Sequence, residues 1–579
     1  MRKSTLWLSV LSGSFMLAAL PAIVSCNISG GNLTRSYVSS DIGGLRQEFN
    51  PEIAENQPNI NEKLVEKVKQ IRSSTSEADK MKQALLNQRT ILITTGGKAN
   101  DKSFNQSVWE AISKFSRETG MEENAKFETP SISNSDQFDA YDYAVSKGFK
   151  FWFLTGFQQE GQLGAWLAKG NNTQRFIDND TIVVTVDWYP GDAPADDNPF
   201  SKVKGRVLGL NFKTQEGGFV ASYAASQLLS EINADQINNK VEKPKFPSGA
   251  TYLNSFAGGD FSGSTNFNYG FYEGMRQFNQ DMIDNVKLLS SKNNNKYLIR
   301  STSPFEATTG FAITNESKKK VELQVDGVRV NDELQQPQVI FPVAGSLSAV
   351  AIDRARDSKN GQWVIGVDTD QSLAFPDDKG LLLTSVEKKI AVAAYKALLT
   401  IYDLADYDKN SNANLLDSNH EMDDSRRIQV KKNGKLEYEN LNSVGGYKEG
   451  FVDISKSTLD PNYYKFMTKT RSGETYTYAQ RYDEIVKNVW DSFFGSKEND
   501  KVGTEGRFYN TKEPSSSDNY KKYGLKKDQT TVDNFYKNIS PGGNPSAVLA
   551  LENITQGGMT AGNMDTFFMP VIDKINKQK

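Results

Sequence analysis

From about residue 88 to 455, short apolar runs alternate with stretches whose apolar residues recur every three or four positions. Runs of four to seven apolar or β-branched residues bounded by Gly, Asp or Thr predict buried strands. Ile91–Thr94, Phe151–Leu154, Ile182–Val186, Val207–Phe212, Tyr252–Phe256, Val339–Val343, Trp363–Val367 and Leu381–Ser385 fit that description. Between them, Phe104, Val108, Trp109, Ile112 and Phe115 repeat at helical spacing. Helices are also predicted over Ala140–Ala144, through Leu163 and Leu167, over Glu216–Leu229 and Phe267–Phe278, and after Ser385 with Lys388 in the first turn. Strand and helix in repeated alternation imply α/β layers with parallel sheets. The units are too many for one modest sheet, so two lobes are expected.

The strands end in a recurring way. ILITTGGKANDKSFN breaks from strand to glycine turn to helix, and it places Asp101, Lys102, Ser103, Phe104 and Asn105 beyond the carboxyl end of a strand. Ligands of open α/β sheets bind at such ends. Asp187, Phe256, Gly258, Gly345 and Asp368 stand at the ends of later strands. Each has a plainer reading. Asp101 fits a helix cap, Phe104 and Phe256 fit core positions, the glycines fit turns, and Asp368 with Lys388 fits a structural ion pair. In two facing lobes these loops converge on one cleft.

Length changes the picture little: 579 residues allow about two to four domains. Charge excludes more. Lys and Arg number 68 against 71 Asp and Glu, for a net charge of −3, so the basic excess of a nucleic-acid surface is missing. One cysteine, Cys26, and one histidine, His420, cannot build a disulfide framework or a zinc cluster. His420 lies in the polar run NANLLDSNHEMDD, where a solvated loop is expected rather than a catalytic base. No catalytic set, metal or cofactor is expected.

The first 26 residues are a positive pair, Arg2 and Lys3, then an apolar stretch closed by Ile23-Val24-Ser25-Cys26. This resembles a bacterial lipoprotein leader, in which the cysteine thiol receives the lipid, and it is set aside from the fold. No later run reaches the roughly 18 apolar residues of a membrane span. A monomeric body held by lipid on the extracytoplasmic face of the cell membrane is expected. Residues 27–60, rich in Asn, Ser, Gly and Pro, read as a tether, and one or two helices are predicted over 60–88.

Five segments in order carry a family resemblance: DKSFNQSVWE; LNFKTQEGGFVASYAA; FAGGD followed by NYGFYEGM; VIFPVAG; and VIGVDTDQ followed by LLTSVEKKIAVAAY. They resemble the basic membrane protein family, lipoproteins that serve ABC importers as substrate-binding subunits and include purine nucleoside receptors. The resemblance spans about residues 88–455. It implies a two-lobed type I periplasmic-binding-protein fold, a nucleoside or similar small polar ligand, and ABC permease subunits as partners. It implies that Phe104 stacks on one face of a base and Phe256 on the other, with Asp101 and Asn105 at the base edge. Asp187, Gly258, Gly345, Asp368 and Lys388 would surround the ribose. Stacking contributes roughly 1–3 kcal/mol per base, and a buried carboxylate accepting from a hydroxyl about 1.5–3 kcal/mol. No GxxxxGK[ST] phosphate loop is present, so the ATPase is expected to be another chain.

The chain also departs from the family, which is shorter. An insertion is expected over Ser291–Gln336, with VELQVDGVRV as a β-hairpin turning at Asp326-Gly327. A second covers Tyr407–Glu439; its DKNSNAN run resembles a calcium loop but lacks the required Gly and Glu. The expected boundaries are a leader over 1–26, a tether over 27–87, lobe 1 over 88–205 completed by about 383–455, lobe 2 over 206–382, and an extension over 456–579. In the extension, Tyr476–Phe494 reads as an amphipathic helix and LENITQGGMTAGNMDTFFMPVIDKI as a last helix-containing segment. Two other functions fit less well: a surface antigen or adhesin that kept the fold without the ligand, and a nucleoside hydrolase using Asp101, Asp187 or Asp368.

Overall fold

The computed structural model describes residues 60–496, except 96–98, 100–103, 132, 191–197, 240–250, 260–261, 285–298, 302–305, 307, 312, 331–332, 359–360, 408–413, 461–467 and 470–474, and also the strand at 35–37. Cys26 with its leader, Asp101, the calcium-like run at 408–413 and the last expected segment lie outside the described residues.

Lobe 1 begins with β1 (Arg35–Tyr37), drawn from the expected tether and paired antiparallel with β3. Two helices follow, α1 (Glu62–Ser73) and α2 (Glu77–Leu85), capped by Asn61 and Ser76. Then come β2 (Arg89–Ile93), α3 (Phe104–Thr119), β3 (Ala125–Glu128), α4 (Asn134–Ser146), β4 (Phe149–Thr155), α5 (Gln158–Ala168), α6 (Asn172–Asp178), β5 (Ile182–Val186) and β6 (Val207–Phe212). All seven residues of β4 and all five of β5 are buried, because helices cover both faces of this sheet. That double burial is why these strands show as unbroken apolar runs.

The chain then enters lobe 2 with α7 (Thr214–Asn239), β7 (Thr251–Ala257), α8 (Ser262–Asp284) and β8 (Ile299–Ser301). The insertion supplies α9 (Asn315–Asp326), β9 (Val328–Val330) and β10 (Glu333–Gln335). Lobe 2 continues with β11 (Val339–Val343), α10 (Leu347–Asp357), β12 (Trp363–Asp368), α11 (Gln371–Ala374) and β13 (Leu382–Lys388). The chain returns to lobe 1 for α12 (Ile390–Ile401), a small antiparallel sheet of β14 (His420–Met422), β15 (Ile428–Lys432) and β16 (Lys435–Tyr438), and then β17 (Leu441–Gly445). It crosses once more to β18 (Val452–Ile454), and α13 (Tyr478–Phe494) closes the described chain on α7.

The sheet orders are β1-β3-β2-β4-β5-β6-β17 and β18-β13-β12-β11-β7-β8. With the antiparallel β1 set aside, the first five strands of each sheet in chain order stand in the sequence second, first, third, fourth, fifth, all parallel. Two such sheets flanked by helices, with the chain passing three times between them, form the two-lobed type I periplasmic-binding-protein fold.

Several expectations need correction. The first passage between lobes is at Lys213 rather than 205–206, and the second at Lys389 rather than 382–383. β6 therefore belongs to lobe 1 and β13 to lobe 2. Lys388 ends β13 rather than opening a helix. The hairpin at Asp326-Gly327 is absent: Val321–Asp326 finishes α9, which a Thr314 capping box starts and Gly327, at φ +77°, stops. Val321, Gln324 and Val325 face the core at helical spacing, and that spacing outweighs the two-residue alternation. His420 lies in a strand, not a loop, with its Nδ1 2.8 Å from Asp417 Oδ1.

Candidate ligand-binding cleft

The carboxyl ends of β5 and β12, the fourth parallel strand of each lobe in chain order, carry Asp187 and Asp368. Both take the left-handed backbone conformation, at φ +70° and +68°, which Asp tolerates better than most residues. The turn brings Asp187 across to the Lys388 ammonium of lobe 2, and Asp368 stands near the same nitrogen from its own lobe. Lys388, at the end of β13, meets both. Its Nζ donates to Asp187 Oδ2 at 2.8 Å and to the Gly263 carbonyl at 3.0 Å. Asp368 Oδ1 lies 3.4 Å from the same nitrogen, close enough for attraction but without hydrogen-bond alignment, and it is a buried acceptor with no hydrogen bond. Burial opposes the charge on Lys388, but the two carboxylates outweigh it and raise the ammonium pKa. Burial pushes the Asp187 carboxyl up; Lys388 offsets part of this, and the like charge of Asp368 adds to it.

Phe104 opens α3 on the lobe 1 side, its ring centroid 5.9 Å from Lys388 Nζ, and the Phe267 ring lies 5.1 Å from that nitrogen on the lobe 2 side. Asn105 is buried and accepts from Thr155 Oγ1 at 2.5 Å, so it is tied to the end of β4. Ser264, next to Gly263, donates to the Val343 carbonyl, which also accepts from Gly258 N–H at 2.8 Å.

Gly258 and Gly345 do not lie bare. The Phe311 ring covers both, and a Cβ on Gly258 would stand 2.6 Å from Phe311 Cε1. The inserted segment reaches this spot by pairing its backbone along the end of β7. Thr309 N–H donates to Ala257 O at 3.1 Å and Gly310 N–H to Gly258 O at 3.0 Å. Phe311 is the aromatic residue the sequence reading missed. Its signal was the Thr-Gly-Phe triplet in a polar insertion, mirroring Thr155-Gly156-Phe157 after β4. Phe256, expected to stack on a ligand, is fully buried with Val321, Ile340, Ala344 and Leu347 in the core of lobe 2. The structure thus brings Phe104, Asp187, Asp368 and Lys388 together, sets Gly258 and Gly345 beneath Phe311, and turns Phe256 away.

Residues 88–296 match the family model described as ABC transporter substrate-binding protein, PnrA-like. That segment is similar to the basic membrane protein family. The nucleoside-binding protein BmpA of an ABC transporter in Lactococcus lactis is 22% identical over 291 residues, 49% of this chain and 64% of that one. A CD4+ T-cell-stimulating antigen of Listeria monocytogenes is 26% identical over 29% of this chain and 47% of its own. Basic membrane protein A of Borreliella afzelii is 24% identical over 52% and 71%. The chain thus spans about half to two thirds of the first of these relatives. Among solved structures, an ABC transporter solute-binding protein from Aeropyrum pernix aligns over 82% of this chain at 15% identity, with a TM-score of 0.44.

No helix among the described residues is long and apolar enough to cross a membrane. Nor do they hold a group of three His, Cys, Asp or Glu side chains placed for a metal ion. A surface groove between α1 and Tyr407 contains none of the cleft residues.

Proposed function

We propose that this chain captures a nucleoside between its lobes and hands it to the membrane permease of an ABC importer, itself held to the outer face of the membrane by lipid on Cys26. The observation that carries this reading is the cluster of Asp187, Asp368 and the buried Lys388, which joins both lobes and keeps a buried acceptor oxygen of Asp368 without a hydrogen bond. Ribose fits such a cluster. Its vicinal hydroxyls donate to carboxylates, and the lysine leaves no lone buried charge. Phe104 on lobe 1 and Phe311 on lobe 2 are the aromatic rings that would receive a planar base. The Lactococcus lactis relative named for nucleoside binding supports the same class of ligand.

The test is mass spectrometry of small molecules released when the purified protein is denatured. A co-purified nucleoside is the expected result; an empty protein that also fails to bind added nucleosides overturns the reading. Prolonged incubation with purine nucleosides is expected to release no free base. Detectable turnover would favour a hydrolase built on the same carboxylates.

A further inference from the structure

The three passages between lobes differ in slack. Lys213 alone separates β6 from α7, and Lys389 alone separates β13 from α12. The third passage, residues 446–451 between β17 and β18, is the longest. Rotation of one lobe against the other needs φ and ψ changes in connecting residues, and the third passage has the most to give. It is keyed into both cores. Phe451 packs with the lobe 1 cluster, its ring centroid 5.7 Å from that of Phe212. Tyr447, although it follows a lobe 1 strand, packs with the lobe 2 cluster.

Helix α13 holds Tyr447 there. The Trp490 ring stacks on the Tyr447 ring at 3.8 Å between centroids and 6° between planes. On its other side, Tyr447 N–H donates to the buried carboxylate of Glu216, in the first turn of α7, at 2.7 Å. Phe493 packs edge-on against Phe219, one turn further along α7. Near its start, α13 is pinned to α7 by the Arg481 guanidinium on both oxygens of Glu231, at 2.7 and 2.8 Å. The helix thus touches the connection with slack and the helix that follows a connection without it. It lies outside residues 88–296.

We infer that α13 is a hinge brace: by stacking Trp490 on Tyr447 it fixes the slack passage to lobe 2 and sets how far the lobes separate. Trp490 is a positioning residue that reaches the cleft through Tyr447 and β17. The inference is independent of the ligand, since it concerns the empty protein.

The experiment uses the full chain with Cys26→Ser, Met81→Cys on lobe 1 and Leu323→Cys on lobe 2. Both introduced positions are exposed, and the protein has no other thiol. Spin labels there report the inter-lobe distance distribution without added ligand. Trp490→Ala is expected to broaden the distribution and shift it to longer distances, while Trp490→Phe, which keeps an aromatic face, stays near the parent. Tyr447→Leu, which keeps an apolar side chain and removes the stack, is expected to behave as Trp490→Ala and serves in its place if that variant does not fold. A folded Trp490→Ala or Tyr447→Leu protein with the parent's distribution overturns the brace. A loss of thermal stability alone, with distances unchanged, assigns α13 to packing only.

Discussion

At the scale of single residues, the cleft is built from side chains whose plainer roles were equally open in the sequence. Phe104→Ala should weaken nucleoside binding about 5- to 150-fold, since stacking on a base contributes roughly 1–3 kcal/mol; titration calorimetry measures it. Phe311→Ala should do the same with little change in melting temperature, because the ring lies over two glycines rather than inside a core. Phe256→Ala should instead lower stability by about 3–5 kcal/mol, as a deleted core aromatic does, read by urea unfolding. Asp101, Phe104 and Asp368 could be singled out because each follows a strand end. Phe311 could not, since its place depends on how a polar insertion pairs with Ala257 and Gly258. Away from the cleft, Asp180 bridges Lys150 and Arg206 at 2.5 and 2.9 Å. Burial alone would raise its pKa, but those two bonds outweigh it and hold the carboxyl below 3.8. A depressed folded pKa gives stability that is full above the unfolded value and lost as pH falls through the folded one. Asp180→Asn should therefore lower stability at neutral pH and flatten the loss of stability in the window below 3.8, measured by denaturant unfolding at a series of pH values.

At the scale of elements, the strands of the two parallel sheets were legible because burial on both faces leaves unbroken apolar runs. β3 was not, since Lys126 and Glu128 interrupt a four-residue strand. VELQVDGVRV satisfied two periods at once, and the capping box at Thr314 decided for helix. α13 was legible from its own face, Tyr482, Ile485, Val486, Val489 and Trp490, but the surface it covers was not. The seam between α7 and α8 depends on glycine. A Cβ on Gly270 would stand 2.0 Å from the Gln215 carbonyl oxygen, and one on Gly274 2.3 Å from that of Phe219. Gly270→Ala should force the helices apart and cost at least about 2 kcal/mol. Gly161→Ala, in α5 with nothing within 4 Å of the new methyl, should stabilise by about 0.5–1 kcal/mol. Paired thermal melts of the two variants separate the effect of close packing from that of the glycine backbone.

At the scale of the whole molecule, the lobes meet through a lysine that belongs to one of them and answers to acids from both. Lys388→Met removes the cation shared by a largely buried Asp187 and a quarter-exposed Asp368 and should destabilise the protein by about 1–3 kcal/mol; small-angle scattering should show a more extended particle. The two-lobe division was legible from the number of strand–helix units, whereas the points of passage were not. A single residue between strand and helix, as at Lys213 and Lys389, leaves no mark in composition. A nucleoside at a hundred times its dissociation constant should add about 2.7 kcal/mol to the unfolding free energy, which thermal melts with and without ligand will register. The duplicated aspartates have a further consequence. Both lobes contribute an acid at the same strand end, but among the described residues one cation, Lys388, answers the pair, so that trio formally carries one negative charge. A phosphate-bearing ligand would bring a second anion into that space. Like charges about 4 Å apart repel by roughly 4 kcal/mol at an effective dielectric of 20. On the proposed function the pair should therefore act as a filter as well as a grip: a nucleoside is expected to bind more tightly than its phosphorylated form, a difference that titration calorimetry reads.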